Sequence, residues 1–373
     1  RLPFGLPGVN KKGSVSNGNY LWMSYFYSYL NDEGRAGFVM SSQASSAGGQ
    51  EAEVRRKMIE TGHVDAMVAI RSNFFYTRSV PCELWFFNKA KPEQHKDKVL
   101  MLDARNVYRK VTRKIYDFSP EQLANLTAIV WLYRGETARF IGLVEQYLTQ
   151  TLEEALSSKA GMDNFIAELN GLLDKFTEVD EETKSANETL HQDIAAFEAE
   201  IDTQSIAWKT AAKDNAGLLS FAAKLAPLAE TSRDLIKQID QLYKFAEKQA
   251  KDSGEKGLNK LIKALDEARK DAVEQLKLIR YFYKQVHWLQ ERFPEAELQD
   301  VAGLVKLVDV EELEANDWSL TPGRYVGVAP EEEDEDFDFE ETLRDIHIEL
   351  KGLNEEAAQL AAQIQKNFEE LGI

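Results

Sequence analysis

The run VDAMVAI, residues 64–70, is apolar at almost every position. A strand with one wet face alternates apolar and polar residues, so a run this continuous asks for a sheet covered on both faces. Three further runs of strand type surround it: RAGFVMSS, CELWFFNK and VLMLDARNV. Helical patterns alternate with them. Trp22, Tyr25, Phe26, Tyr29 and Leu30 follow helical spacing, with Asn19 placed to cap that helix and Gly34 to end it. GGQEAEVRRKMIETG reads as a second helix, with four-apart pairs Glu51–Arg55 and Glu53–Lys57 and Gly62 as its C-terminal stop. Alternation of this kind predicts an α/β fold with a mostly parallel sheet from residue 14 to about residue 110. Such a domain ordinarily opens on a strand and a glycine-rich turn. The chain has no G-x-G and goes from a loop straight into a helix, as the second half of an α/β domain would.

From residue 115 to about residue 300 the pattern is helical. In DFSPEQLANLTAIVWL, Ser119 is placed as an N-cap, Pro120 at the first helical position and Gln122 to complete a capping box. Met162, Phe165, Leu169, Leu172, Phe176, Val179, Thr183, Ala186, Leu190, Ile194, Phe197 and Ile201 recur mostly at steps of three and four, the signature of a coiled-coil seam. Pro227 is expected to break or kink the pattern. Leu235, Ile239, Leu242 and Ala246 resume it. DSGEKG reads as a turn, and a last stripe runs from Leu261 to Val286. Long helices separated by breakers predict an antiparallel helical arm. Residues 301–330 return to mixed structure, with a turn at Thr321-Pro322-Gly323 and packing roles for Trp318, Leu320 and Tyr325. Residues 331–340 are an acidic linker. Residues 341–373 hold a final helix, in which Leu343, Ile346, Leu350, Leu353, Ala357, Leu360 and Ile364 form a heptad seam. That seam either meets a partner or folds back onto the arm.

Composition narrows the chemistry. The net charge of −18 argues against the whole chain acting as a nucleic-acid sink. Positive charge is concentrated in ARNVYRKVTRK, where Arg105, Arg109, Lys110, Arg113 and Lys114 either meet DNA phosphates or form an ordinary solvated face. No run is long and apolar enough for a membrane helix. A single cysteine, Cys82, fits a reducing, cytoplasmic setting. The five histidines are scattered, giving no metal motif. No G-x-S-x-G or G-K-[ST] loop occurs, and no catalytic constellation is complete. In SNFFYTRSVPCELWFFNK, Phe74, Phe75 and Tyr76 precede a turn between two strands. They either pack in the core or form a platform for a flat ligand.

In order along the chain, NYLWMSYFYSYLNDEGRAGFVMSS, EAEVRRKMIETGHVDAMVAIRSNFFYTRSVPCELWFFNK, VLMLDARNVY and NDWSLTPGRYVGV closely resemble the modification subunit of type I restriction-modification systems. These are DNA methyltransferases that move a methyl group from S-adenosylmethionine to adenine N6. The resemblance implies the C-terminal half of a Rossmann-like methyltransferase sheet over residues 1–114, then a long all-α helical region over 115–300. It places the family's Asn-Pro-Pro-Phe motif shortly before RLPFGLP. None of the nine prolines here is adjacent to another, so the motif is absent and the segment is expected to be inactive alone. An initial Arg agrees with a fragment. The family's base-holding segment matches Phe75, Tyr76, Thr77 and Pro81, which are expected to line the pocket for a flipped adenine. The implied partners are DNA, a specificity subunit docked on the C-terminal helix, a second modification subunit and a restriction subunit. A noncatalytic assembly subunit of the same fold is the alternative.

Overall fold

A computed structural model describes residues 2–15, 17–75, 79–112, 114–253, 257–330 and 339–370. The chain divides into two compact units, residues 1–328 and 329–373.

The first unit is built on a mixed sheet. Helix α1 (Asn19–Ser28) leads into β1 (Arg35–Ser41), and a 3-10 turn (Ser42–Ser46) leads into α2 (Gln50–Glu60). Strands β2 (Val64–Ile70), β3 (Cys82–Asn88) and β4 (Lys98–Asp103) follow, then the small hairpin β5 (Arg109–Thr112) and β6 (Ile115–Asp117). Five helices come next: α3 (Pro120–Tyr133), α4 (Thr137–Leu173), α5 (Glu181–Thr210), α6 (Asn215–Asp252) and α7 (Asn259–Arg292). The chain then returns to the sheet as β7 (Val305–Asp309) and adds a short helix, α8 (Val310–Ala315). The order across the sheet is β1-β3-β2-β4-β7.

The sheet is not mostly parallel. Only β2 and β4 run side by side in the same direction; β1/β3, β2/β3 and β4/β7 are antiparallel. The α2 crossover does return β2 in the direction of β1, but β3 inserts between them. Among the described residues of the link from β2 to β3 there is no helix to make a crossover, and antiparallel pairing needs none.

Both faces of the sheet are covered, as the unbroken apolar run of β2 requires. On one face Met67, Trp85, Phe87, Met101 and Val308 pack under α1 and α2. On the other, Ala66, Leu100 and Leu102 join a core continuous with α3 to α7. The capping box at α3 forms as its sequence implies, with Ser119 Oγ accepting from Gln122 N and the Gln122 side chain accepting from Ser119 N.

Other local readings are corrected. Asn19 is the first residue of α1 rather than its cap, Gly18 holds the cap position, and the helix ends at Ser28, well before Gly34. The aromatic stripe expected inside is turned outward: Trp22 is 59% exposed and Tyr29 69%, while Tyr20 and Met23 are buried. Aromatic residues occupy both sides of this helix, and the 20/23/27 side faces the sheet. Arg55 makes no surface pair with Glu51; it is buried. The expected Glu53–Lys57 pair does form, at 3.9 Å, and Arg56 shares the same carboxylate at 2.6 Å.

The long seam is divided between two helices. Helix α4 stops at Leu173, and Asp180 caps α5 by accepting from Thr183 N at 2.8 Å. Pro227 lies within α6 and does not end it. It sits on the exposed side, and so does Ala223, whose carbonyl has no helical donor from Pro227. Cross-contacts fix the directions. Phe140 meets Phe293 and Tyr147 meets Phe282, so α4 and α7 are antiparallel. Gln238 meets Asp193 and Trp208 meets Phe221, so α5 and α6 are too. Arg269 to Asp240 and Arg280 to Glu230 set α6 against α7. Gly161 lets α4 and α7 approach closely, since a Cβ there would stand 3.3 Å from Ala272 Cα.

Residues 317–326 form a strap across the sheet, held by Arg55. Arg55 Nε donates to the Trp318 carbonyl at 2.6 Å, and Nη1 donates to Tyr20 Oη at 2.8 Å and the Ala47 carbonyl at 2.7 Å. Asp317 and Trp318 both adopt positive φ, 55° and 54°, a costly conformation for non-glycine residues. The guanidinium bonds to both of their carbonyls offset that cost. Leu320 N donates to the Ser45 carbonyl, and Leu320 is buried.

The second unit contains α9 (Phe339–Glu370). Most of the acidic linker lies outside the described residues.

Arg55→Met is expected to cost at least about 3 kcal/mol, because it leaves several buried carbonyls without donors. Arg55→Lys is expected not to rescue it, since one ammonium cannot span three elements. Denaturant unfolding of the two variants checks this.

Candidate functional site

The candidate site lies beyond the carboxyl end of β2, where the chain turns through Arg71 to Phe75. Asn73 takes a positive φ of 61°, which asparagine tolerates, and its carbonyl accepts from Tyr116 N at 3.1 Å. This bond ties the loop to the β5–β6 hairpin. Aromatic contacts reinforce it: Phe74 packs on Phe118 at 4.4 Å between ring centres and meets Phe75 edge-on at 6.3 Å. Arg71 lies over two hairpin rings, 4.1 Å from the centre of Tyr108 and 4.4 Å from that of Tyr116. Such contacts hold a guanidinium and an aromatic face together without consuming all of its N–H donors.

Two segments singled out in the sequence are thus neighbours. Phe75 is half-buried and Pro81 exposed. The Pro81 carbonyl accepts from Ser42 N at 3.3 Å, joining the far end of the loop to the carboxyl end of β1. Tyr76 and Thr77 lie outside the described residues, as does Arg113. Trp85 and Phe87 are core, as strand residues of this kind should be.

The cations are less uniform than the sequence implies. Arg109 is clamped on Asp117 by two bonds, 2.9 and 2.7 Å, and holds that carboxyl below its ordinary range. Arg105 is not on the hairpin face. It turns back onto Asp103 at 2.5 Å and lies against Gly323, where any Cβ would collide with its guanidinium. Lys110 and Lys114 are exposed.

A polar layer lies behind the loop, on the side of the sheet covered by α1, α2 and the strap. Glu83 and Asp103 flank Ala69 in register on neighbouring strands. Glu83 is 1% exposed, and burial pushes its carboxyl up to about 7. Its Oε2 has no hydrogen-bond partner. Ser45 Oγ donates to the Ser42 carbonyl at 2.8 Å and lies 2.7 Å from Thr321 Oγ1 on the strap. Glu83 and Arg71 were not read as site residues from the sequence. The signal for Glu83 was present: a carboxylate inside an apolar strand, CELWFF, needs an explanation. Among the described residues, no three His, Cys, Asp or Glu side chains gather as a metal site, and no helix is long and apolar enough to cross a membrane.

The loop, the hairpin and strands β1 to β4 all fall within one matched stretch. The N-6 DNA methylase family model matches residues 9–157. The resemblance is to type I restriction enzyme methylase subunits. The MjaIX methylase subunit of Methanocaldococcus jannaschii is 42% identical over 108 residues, 28% of this chain and 19% of that protein. The HindI methylase subunit of Haemophilus influenzae is 28% identical over 120 residues, 32% of this chain and 26% of that protein. The chain therefore spans about a fifth to a quarter of the length of the curated relatives it matches. Among solved structures, a type I methyltransferase subunit from Streptococcus thermophilus overlays at a TM-score of 0.28 with 17% identity, covering 31% of this chain and 24% of that one. The EcoKI M protein overlays at 0.26 with 24% identity, covering 30% and 24%. Overlays this partial carry no argument, and the sequence matches carry the relationship.

Proposed function

We propose that this chain is the target-base and assembly portion of a type I restriction-modification methylase, an enzyme that methylates adenine N6 in DNA. The observation that carries this reading is the meeting of the Phe74–Phe75 loop with the cationic hairpin, inside the stretch matched by the N-6 DNA methylase family. A base inside a duplex must be flipped out to be methylated, and a flipped base needs an apolar or aromatic wall beside a surface that holds the backbone. Phe75, Tyr76, Thr77 and Pro81 are assigned to that wall. Lys110, Arg113 and Lys114 are assigned to phosphates, with Arg109 joining them only if DNA competes with Asp117. Arg105 is assigned to the strap instead.

The family's methyl donor, S-adenosylmethionine, does not fit residues of this chain. The strands β1, β2 and β4 are followed by Ser42, Arg71 and Ala104, not by a glycine-rich turn, and the Asn-Pro-Pro-Phe motif is absent. No step of methyl transfer is therefore assigned to these side chains. The open edge of β1 supports completion of the sheet by further strands: among the described residues β1 pairs only with β3, and Trp22 and Val39 are 59% and 46% exposed.

Helix α9 is assigned to partner binding. Leu343, Ile346, Leu350, Leu353, Leu360 and Ile364 are between 36% and 60% exposed, and Ala357 is exposed as well. A stripe of this period fits a second helix in a coiled coil, and the specificity subunit is the proposed source. A second methylase subunit and a restriction subunit complete the proposed assembly, which is placed in the cytoplasm.

The test uses the full-length parent protein assembled with its partners. Phe75→Ala is expected to lower adenine methylation at least about 10-fold by removing stacking of the flipped base, while the melt stays unchanged. Leu350→Asp with Leu360→Asp is expected to abolish pull-down of the specificity subunit and leave the melt of residues 1–328 intact. An unmutated full-length protein that assembles but never methylates DNA would leave the assembly-subunit reading in its place.

A further inference from the structure

Of the three described arginines around the loop and hairpin, two already hold a carboxylate. Arg105 is bound to Asp103, and Arg109 is clamped on Asp117. Arg71 is different. Among the described residues no carboxylate pairs with it and no carbonyl accepts from it. Its contacts are two aromatic rings, with the guanidinium carbon 4.1 Å from the centre of Tyr108 and 4.4 Å from that of Tyr116. A chain of net charge −18 has carboxylates to spare, so their absence here belongs to this position rather than to the composition.

An aromatic ring attracts the guanidinium through its electron-rich face and accepts none of its N–H groups in the ordinary sense. The donor fork of Arg71 is therefore held in place and still able to bond an anion. Arg71 is half-buried. A charge-assisted bond made there is stronger than the same bond in open water.

The place in the chain says what that anion accompanies. Arg71 directly follows β2, and Phe75 comes four residues later. Asn73, between them, turns the chain with φ 61° and is tied to Tyr116 N. The aromatic wall and the donor fork thus stand on one short turn, both braced by the hairpin region: Phe74 on Phe118, and Arg71 on Tyr108 and Tyr116. A ligand that sets a flat ring beside Phe75 and an oxyanion on Arg71 together is a nucleotide. The planar fork suits two oxygens of one phosphate, whereas Lys110 and Lys114 are exposed point charges suited to phosphates farther along the strand.

We infer that Arg71 binds a phosphodiester flanking the flipped nucleotide, so that one turn holds the target by its base through Phe75 and by its backbone through Arg71. This rests on the proposed methylase role and adds to it a residue that selects which nucleotide is drawn out of the stack.

The test uses the full-length parent with its partners and DNA duplexes carrying one neutral methylphosphonate, either 5′ or 3′ to the target adenine. Wild-type binding is expected to weaken about 10-fold at one of these two positions. Arg71→Gln is expected to weaken binding of unmodified DNA by about the same factor and to lower the slope of log affinity against log salt by about 1. On the neutral phosphate it is expected to lose nothing further. Losses that multiply, or an unchanged salt slope, would overturn the inference. Hydrogen exchange over residues 108–117 shows whether the Gln variant loosens the hairpin. If it does, Arg71→Lys takes its place, since it keeps a cation for the rings. That variant is expected to keep the salt slope and to lose less than wild type on the neutral phosphate, having one donor group where the fork has two; an equal loss would overturn the inference. A parent that methylates adenine but fails these tests removes this inference alone. A parent that never methylates DNA removes the methylase reading and this inference with it.

Discussion

One buried guanidinium ties together parts of the chain that lie far apart in sequence. Arg55 stands on α2, yet it bonds α1 through Tyr20, the 3-10 turn region through Ala47, and the strap through Asp317 and Trp318. Only arginine presents enough rigid donors to satisfy acceptors on three elements at once. Between Arg55 and the strap the chain leaves the sheet, builds four long antiparallel helices and comes back as β7. Without the return, β4 would be an open edge and the face over Met101 would lose Val308, Leu320 and Tyr325. The long helical excursion is therefore an insertion into a sheet that closes only after it.

That closure shapes the candidate site from behind. Gly323 lets the strap lie against Arg105, which is fixed on Asp103, and Thr321 meets Ser45. In front, Arg71 and the aromatic rings hold the hairpin to the loop. The loop thus has the aromatic and cationic hairpin contact on one side and the polar groups beneath the strap on the other. The opposite edge of the sheet, at β1, lies open beside outward-facing Trp22 and Phe26. The chain's own return adds β7 as the edge strand at the other end, beyond β4.

Much of this was legible in the sequence where local rules decide. Apolar runs gave β1 to β4, and Ser119, Pro120 and Gln122 gave the start of α3, because strand burial and capping are written in adjacent residues. What failed depended on distant contacts. The pairs read from Glu51–Arg55 treated α2 as a surface helix, but the strap it meets lies more than two hundred residues away. The inner face of α1 was misread because Trp22 and Phe26 are as apolar as Tyr20 and Met23. The parallel sheet was overcounted because nothing local says that β3 enters between β1 and β2. At the site, the loop and hairpin were each found, but their contact through Arg71 was not, since cation–aromatic contacts have no sequence period. Glu83 was visible as a charge in an apolar strand, but its depth of burial, 1% exposed, was not.

The central claim is that the strap and β7 are part of the sheet domain rather than a tail after the bundle. Thermal melting of a chain ending at residue 328 against one ending at residue 300 tests it most directly. The account predicts that the longer chain melts like the whole protein, because the second compact unit begins at residue 329. It predicts that the shorter chain loses the cooperative melt of the sheet while its helices persist. A chain ending at residue 300 that keeps an unchanged sheet melt would contradict it.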